Sequence, residues 1–169
     1  LKAAFERYMA AREIRRNLAR IGQTGATVQY ECVDVRQVTA LQSVIEKIRR
    51  DRGPIRGLIH AAGVLDDRLI KDKSAEQFDR VFDTKVAGLR NLLDAVDHNE
   101  LRHVVLFSSV SARFGNPGQA DYAMANEVFN KAAQRLARRL PNCHVVSINW
   151  GPWDGGMVSP ALKREFEKR

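Results

Sequence analysis

Apolar residues recur every three or four positions along much of the chain, and this spacing predicts amphipathic helices. Ser74 precedes one such segment and is expected to be its N-cap, with Glu76 and Gln77 in the first turn. The predicted helices cover residues 1–22, 37–51, 74–98, 119–139 and 160–168.

Shorter segments rich in β-branched residues lie between these helices. Residues 27–33 alternate in polarity, whereas 103–107 and 144–148 are continuous apolar runs, typical of strands buried in a parallel sheet. A further short strand is expected over 55–60. Helices alternating with such strands predict one α/β domain over residues 1–169, with a Rossmann-like, doubly wound parallel sheet that binds ligands beyond the carboxyl ends of its strands.

Composition places the chain among soluble globular proteins. It has 169 residues, of which 44% are hydrophobic and 28% charged, and no apolar run approaches the roughly 18 residues of a membrane span. Cys32 and Cys143 both lie in apolar runs and are expected to be buried, reduced thiols. We therefore expect a cytoplasmic protein that binds no membrane and no metal.

The net charge of +8 narrows the choice of partner only slightly. It would suit nucleic acid, an acidic protein or a phosphate-bearing cofactor. The basic residues are spread over predicted helix faces, without the interleaved aromatic residues that stack on bases. A nucleic-acid partner is therefore not expected.

Four polar residues stand at informative spacings. Ser109 follows a predicted strand, Tyr122 lies thirteen residues later near a helix start, and Asn126 is one turn further on. Residues i and i+4 share a helix face, so Tyr122 and Asn126 are expected to point the same way. Lys85 lies on the preceding helix. Each residue alone has an ordinary structural explanation, but the combination favours a catalytic site.

This arrangement resembles the ketoreductase domains of modular polyketide synthases and related polyunsaturated fatty-acid synthases, members of the short-chain dehydrogenase/reductase superfamily. Most of that superfamily has Tyr-x-x-x-Lys, whereas ketoreductase domains exchange Lys and Asn, as Asn126 and Lys85 do here. The segments Phe-Ser-Ser, Tyr-Ala-x-Ala-Asn, Lys-Val-x-Gly and Asn-Trp-Gly-Pro-Trp fit the same pattern. The resemblance extends from about residue 10 to the end of the chain.

The resemblance implies reduction of a ketone, in which negative charge develops on the carbonyl oxygen and must be met by hydrogen-bond and proton donors. Tyr122 would be the acid, and Lys85 would stabilise its phenolate and reach the cofactor ribose. Ser109 would orient the carbonyl, and Asn126 would anchor the relay that holds Lys85. The implied cofactor is NADPH, bordered by Asp34, Val35, Ala61, Ala62, Gly63, Gly151 and Pro152.

The substrate side also carries a resemblance. Leu65-Asp66-Asp67 resembles the motif of B-type ketoreductases, which form the D-configured β-hydroxyl, and Phe114 stands where A-type enzymes have Trp. Met157 lies in residues 155–158, which together with the helix predicted over 160–168 resemble the lid over the substrate, with an ordinary surface loop as the alternative. Trp153 precedes them, in the loop that resembles the one beside the nicotinamide. The implied substrate is a β-ketoacyl thioester on the phosphopantetheine arm of an acyl carrier protein, within a synthase of several domains.

One expected feature does not occur in the sequence, namely a glycine-rich turn between a first strand and a first helix. Either the fold binds no nucleotide, or this chain lacks the N-terminal βαβ of the domain. A noncatalytic structural half, or a fragment that needs the missing part, is therefore the alternative function. An epimerase or dehydratase relative is disfavoured because it would have Lys at the position of Asn126.

Overall fold

The computed structural model describes residues 2–153, with side chains from Ala4 onward, in two compact units that divide after Cys32. The first unit contains helix α1 (Lys2–Gly22), followed by a turn and a segment without regular secondary structure. Met157 and the helix predicted over 160–168 lie outside the described residues.

The second unit is a three-stranded parallel sheet with helices between its strands. The strand order is β1-β2-β3, and Ser109 at the end of β2 pairs with Trp150 at the end of β3. Its elements are α2 (Val38–Arg52), β1 (Gly57–His60), a 3-10 turn (Ile70–Asp72), α3 (Ala75–Ala95), β2 (His103–Ser109), α4 (Ser111–Phe114), α5 (Ala120–Arg139) and β3 (His144–Trp150). The predicted α/β fold with a parallel sheet is confirmed.

The prediction of a strand over residues 27–33 is wrong. Residues 26–34 contain no strand, and Val28 and Tyr30 are exposed. Alternating polarity is insufficient, because a strand also needs a hydrogen-bonded neighbour.

From the sequence, both cysteines are expected to be buried, reduced thiols. Both are free and Cys143 is buried, but Cys32 is exposed, so the prediction of burial is wrong for Cys32.

The core of the second unit lies on the buried face of β2. Val104 and Leu106 are fully buried there and pack with Leu89 of α3 and Phe129 of α5. The alternate residue Val105 is only partly covered. Burial of these aliphatic and aromatic side chains is the main stabilising contribution and holds both helices against the sheet.

Within residues 2–153, no helix is both long and apolar enough to span a membrane.

Helix α3 begins as predicted. The Ser74 hydroxyl accepts a hydrogen bond from the Gln77 backbone N–H at 3.3 Å, and the Gln77 side chain accepts one from the Ser74 N–H at 3.0 Å. This capping box satisfies two backbone donors that would otherwise lack partners. It fixes the start of the helix that carries Lys85.

At Gly88, helix α3 packs closely against the chain before α2. A Cβ added at Gly88 would lie 2.7 Å from Cγ2 of Val35 and 3.4 Å from Nε2 of His60. Real Cβ atoms do not approach another carbon so closely, so α3 can pack here only because residue 88 has no side chain.

We predict that Gly88→Ala destabilises the fold by about 1–3 kcal/mol, because the added methyl group overpacks a filled site. In an open helix interior the same change would stabilise by about 1 kcal/mol, so the sign of the effect is diagnostic. The measurement is the free energy of unfolding in urea. Gly57→Ala, where a Cβ meets nothing within 4 Å, is the control. A Gly88→Ala protein at least as stable as wild type would contradict the close approach.

Candidate active site

The last residue of β1, His60, pairs with Leu106 of β2, which continues to Ser109, and the candidate residues gather at this carboxyl end of the sheet. Ser109 ends β2, Tyr122 lies in the first turn of α5, and Asn126 follows one turn later. Lys85 reaches the same place from the middle of α3. The structure therefore brings together the four residues that sequence spacing singled out.

Lys85 is a buried cation, with only 3% of its surface exposed. Its Nζ donates a hydrogen bond to the carbonyl oxygen of Phe107 at 2.8 Å, and lies 4.5 Å from the ring centre of Phe129 and 5.7 Å from that of Tyr122. Aromatic faces attract a cation electrostatically. Burial nevertheless disfavours the charged form and lowers the pKa of Lys85 from 10.5 to about 8.

Tyr122 is largely covered, and this burial raises the pKa of its hydroxyl above the ordinary value of 10.0. Hydrogen bonding from the nearby Asn126 and Ser109 side chains acts in the opposite direction, and the charge of Asp67 raises the pKa further. At neutral pH the hydroxyl therefore keeps its proton and is available as a donor.

Asn126 is fully buried, and its amide nitrogen donates to the backbone carbonyl of Tyr122 at 2.8 Å. Its Oδ1 has no hydrogen-bond partner among the described residues. A buried polar atom without a partner is costly, so this oxygen is suited to accept a bond from a water molecule or ligand group. The direct partner of Lys85 is the Phe107 carbonyl, not the Asn126 side chain.

Ser109 is held by its neighbour two residues later. Its Oγ accepts hydrogen bonds from the Ser111 hydroxyl at 2.9 Å and from the Ser111 backbone N–H at 3.2 Å. With its acceptor capacity used in this way, the Ser109 O–H is the group left to donate. It is half-buried at the end of the strand, on the side of Tyr122.

The turn after β1 is lined by small residues, Ala61, Ala62 and Gly63. A Cβ added at Gly63 would lie 3.3 Å from Cε of Lys85, so the space beside the ammonium depends on glycine. Among the described residues Nζ has one hydrogen-bond acceptor, which leaves two N–H donors for hydroxyl oxygens of a ligand. The residues present thus fit the ribose of a nicotinamide cofactor.

The other cofactor candidates lie near strand ends or turns. Asp34 forms a bidentate ion pair with Arg36 at 2.7 Å, which lowers the pKa of that carboxyl. Val35 is fixed by a hydrogen bond from the Asn91 amide to its carbonyl at 3.0 Å. Gly151 and Pro152 are exposed just after β3.

The segment Leu65-Asp66-Asp67 is tied to the start of the Tyr122 helix. The Gln119 amide donates to the Asp67 carboxylate at 2.9 Å, and the Asp66 carboxylate pairs with Arg80 and Arg68. Phe114 is 86% exposed at the end of α4. Trp153 packs edge-on against Trp150, with 5.1 Å between ring centres.

Sequence reasoning missed the role of His60, a buried residue that binds the backbone of Lys85. The His60 ring donates from Nε2 to the backbone carbonyl of Lys85 at 3.0 Å and packs against Phe129. Burial lowers the pKa of His60 from 6.5 to about 4, so the ring is neutral at pH 7. Its place at the end of β1 was visible in the sequence, but its partner 25 residues later was not.

The family model described as "KR domain" matches residues 4–155 of the chain. The chain is 45% identical over 161 residues to a polyunsaturated fatty acid synthase subunit of Thraustochytrium sp., covering 95% of this chain and 6% of that protein. It is 39% identical over 145 residues to the polyketide synthase PksN of Bacillus subtilis, covering 83% and 3%. The chain thus spans a small part of these relatives.

Among solved structures, the chain is similar to the PlmKR1 ketoreductase from the first module of phoslactomycin biosynthesis in Streptomyces sp. HK803. The TM-score is 0.82 and the sequence identity 35%, over 90% of this chain and 35% of that one. This likeness confirms the Rossmann-like class of the fold.

Neutral, buried His60 predicts a specific pH dependence of stability. Between pH 6.5 and about 4 the unfolded chain binds a proton on this residue that the folded protein does not bind. The free energy of unfolding therefore decreases as the pH falls through this window, by about 3 kcal/mol at most. His60→Gln should remove this part of the dependence, measured by urea unfolding at pH 7 and 4.5. His103→Gln, at an exposed site, is the control. Equal pH dependence in wild type and His60→Gln would contradict the assignment.

Proposed function

The chain belongs to the KR domain family, the ketoreductase domains of polyketide and polyunsaturated fatty-acid synthases, and on this basis we propose that it reduces a β-ketoacyl thioester to the β-hydroxyacyl thioester with NADPH. The observation that carries the proposal is the gathering of Lys85, Tyr122, Ser109 and Asn126 beyond the carboxyl ends of the strands. Such a site supplies donors where a ketone oxygen gains negative charge.

When bound, the cofactor supplies the hydride for the carbonyl carbon. The residues of this chain position the substrate and provide the proton. The Ser109 O–H donates a hydrogen bond to the carbonyl oxygen, and the Tyr122 hydroxyl transfers its proton to that oxygen. The Lys85 ammonium, 5.7 Å from the Tyr122 ring centre, stabilises the phenolate that remains. The Asn126 Oδ1, which has no hydrogen-bond partner among the described residues, would anchor the water or backbone relay that holds Lys85.

For the cofactor we propose a site at the carboxyl end of the sheet, beside the four residues named above. Lys85 would bind the nicotinamide ribose, with Gly63, Ala61 and Ala62 leaving room for the adenosine part. Asp34 and Val35 would border the adenine, and Gly151 and Pro152 would lie beside the nicotinamide. A polypeptide that also supplies a glycine-rich turn for the pyrophosphate would complete this site.

On the substrate side we propose B-type stereochemistry, which gives the D-configured alcohol. Leu65-Asp66-Asp67 supports this, as does Phe114 in place of the A-type Trp. Trp153 would contribute to the substrate opening. Met157, for which the sequence implies the same role, lies outside the described residues. The proposed substrate carrier is an acyl carrier protein of the same synthase, because carrier proteins are acidic and the net charge here is +8.

We predict that Tyr122→Phe lowers turnover by about 10²-fold or more, because the proton donor is lost. The protein for this test carries the chain together with a glycine-rich turn upstream. The measurement is NADPH oxidation with a β-ketoacyl thioester. Tyr30→Phe, at an exposed tyrosine, is the matched control and should retain wild-type activity. A wild-type protein that folds but neither binds NADPH nor turns the thioester over would overturn the proposal in favour of a structural role.

The buried Lys85 also predicts the shape of the pH profile. Its pKa near 8 means that the cation beside Tyr122 is lost as the pH rises above 8, whereas the raised pKa of Tyr122 keeps its own proton in place. We expect kcat/KM to decrease about tenfold per pH unit above pH 8. Lys85→Arg should move this limb to higher pH because a guanidinium stays charged. Lys131→Arg, at an exposed lysine, is the control. A profile that is flat to pH 9.5 in wild type would contradict the role of Lys85.

A further inference from the structure

A second buried lysine lies close to the site and has no role in the chemistry proposed above. Lys73 precedes the N-cap of α3, and its Nζ is 2.6 Å from the Asp121 carboxylate. Both side chains are only 2% exposed. The same ammonium donates a second hydrogen bond, also at 2.6 Å, to the backbone carbonyl of Asp66.

The ion pair joins three parts of the proposed site. Asp121 directly precedes Tyr122 in α5, and its other carboxylate oxygen accepts the Tyr122 backbone N–H at 2.9 Å. Asp66 lies in the segment proposed to face the substrate. Lys73 itself lies immediately before Ser74, the N-cap of the helix that carries Lys85. One ammonium group therefore fixes the substrate-side segment relative to both helices.

Energetics favour a positioning role for this pair. A buried ion pair contributes little net stability compared with an apolar pair of similar volume, because both charges lose their hydration. The hydrogen bond from Lys73 to the Asp66 carbonyl, however, could not be made by an apolar side chain. A second hydrogen bond, from the Arg68 backbone N–H to the Gly118 carbonyl at 3.0 Å, also joins this segment to the residues that precede α5.

We infer that Lys73 is a positioning residue that holds the Leu65-Asp66-Asp67 segment at a fixed distance from Tyr122, and thereby determines which face of the substrate carbonyl is reduced. The inference rests on the proposed function. The cofactor, when bound, would supply the hydride, and the product configuration would then depend on how the acyl chain is oriented by the residues of this chain. A substrate-side segment displaced by about 1 Å is enough to change such an orientation.

The test compares Lys73→Met with the double variant Lys73→Met/Asp121→Asn, in a polypeptide that carries the chain and the glycine-rich turn. The single variant leaves a buried carboxylate without a counterion and is expected to lose stability. The double variant removes both charges while the introduced amide oxygen still accepts the Tyr122 N–H, so it should recover the urea midpoint. It does not restore the bond to the Asp66 carbonyl.

Two readouts separate positioning from stability. Amide hydrogen exchange over residues 64–72 should be about tenfold faster in the double variant, with residues 125–136 of α5 unchanged. With a β-ketoacyl thioester, the ratio of D to L alcohol should fall about tenfold and KM should rise more than kcat falls. The matched control is Lys131→Met, which breaks an exposed ion pair with Glu127 within α5, the helix that contains Asp121. This variant should change neither readout.

A double variant that recovers both stability and the wild-type product ratio would overturn the inference, because the pair would then only fill the core. Faster exchange with an unchanged product ratio would also overturn it. A wild-type protein that reduces no β-ketoacyl thioester would instead contradict the proposed function, and with it any catalytic consequence of Lys73. In that case the exchange experiment alone still decides whether the link between the segment and the helix exists.

Discussion

The structure of the site depends on burying one ammonium group. Lys85 has a single hydrogen-bond acceptor among the described residues and two aromatic faces near its charge. Burial on this scale lowers its pKa and makes its charge state respond to pH near neutrality. The requirements of this group explain several neighbouring residues, including the glycine at position 63 and the neutral His60 that binds the Lys85 carbonyl.

The parallel sheet provides the rest of the site. Because β1 ends beside Leu106 of β2, the small turn after β1 and the carbonyl of the next β2 residue, Phe107, approach Lys85 from two directions. Helix α5 then begins close to Ser109 and presents Tyr122 and Asn126 on one face. The buried pair of Lys73 and Asp121 joins this helix start to the segment around Asp66. The positions of side chains far apart in the sequence thus depend on the same carboxyl end of the sheet.

Much of this arrangement could be predicted from local patterns. Helical periodicity identified α3 and α5, and the i and i+4 spacing placed Tyr122 and Asn126 together. The strand predicted over 27–33 failed because strand formation depends on a neighbour that periodicity does not specify. The contacts of His60 and Lys73 were missed for a similar reason. Each joins residues 25 to 48 positions apart, and nothing local in the sequence selects such partners.

The most direct test of the buried cation is the titration of the lysine side chains by NMR, in protein labelled with ¹³C at the lysine Cε. One resonance, assigned by its absence from Lys85→Arg, should titrate near pH 8. The ordinary pKa of a lysine side chain in a model peptide, about 10.4, is the reference value. If every lysine resonance, including that of Lys85, titrates near the reference value, the ammonium is not desolvated and the account of the site is wrong.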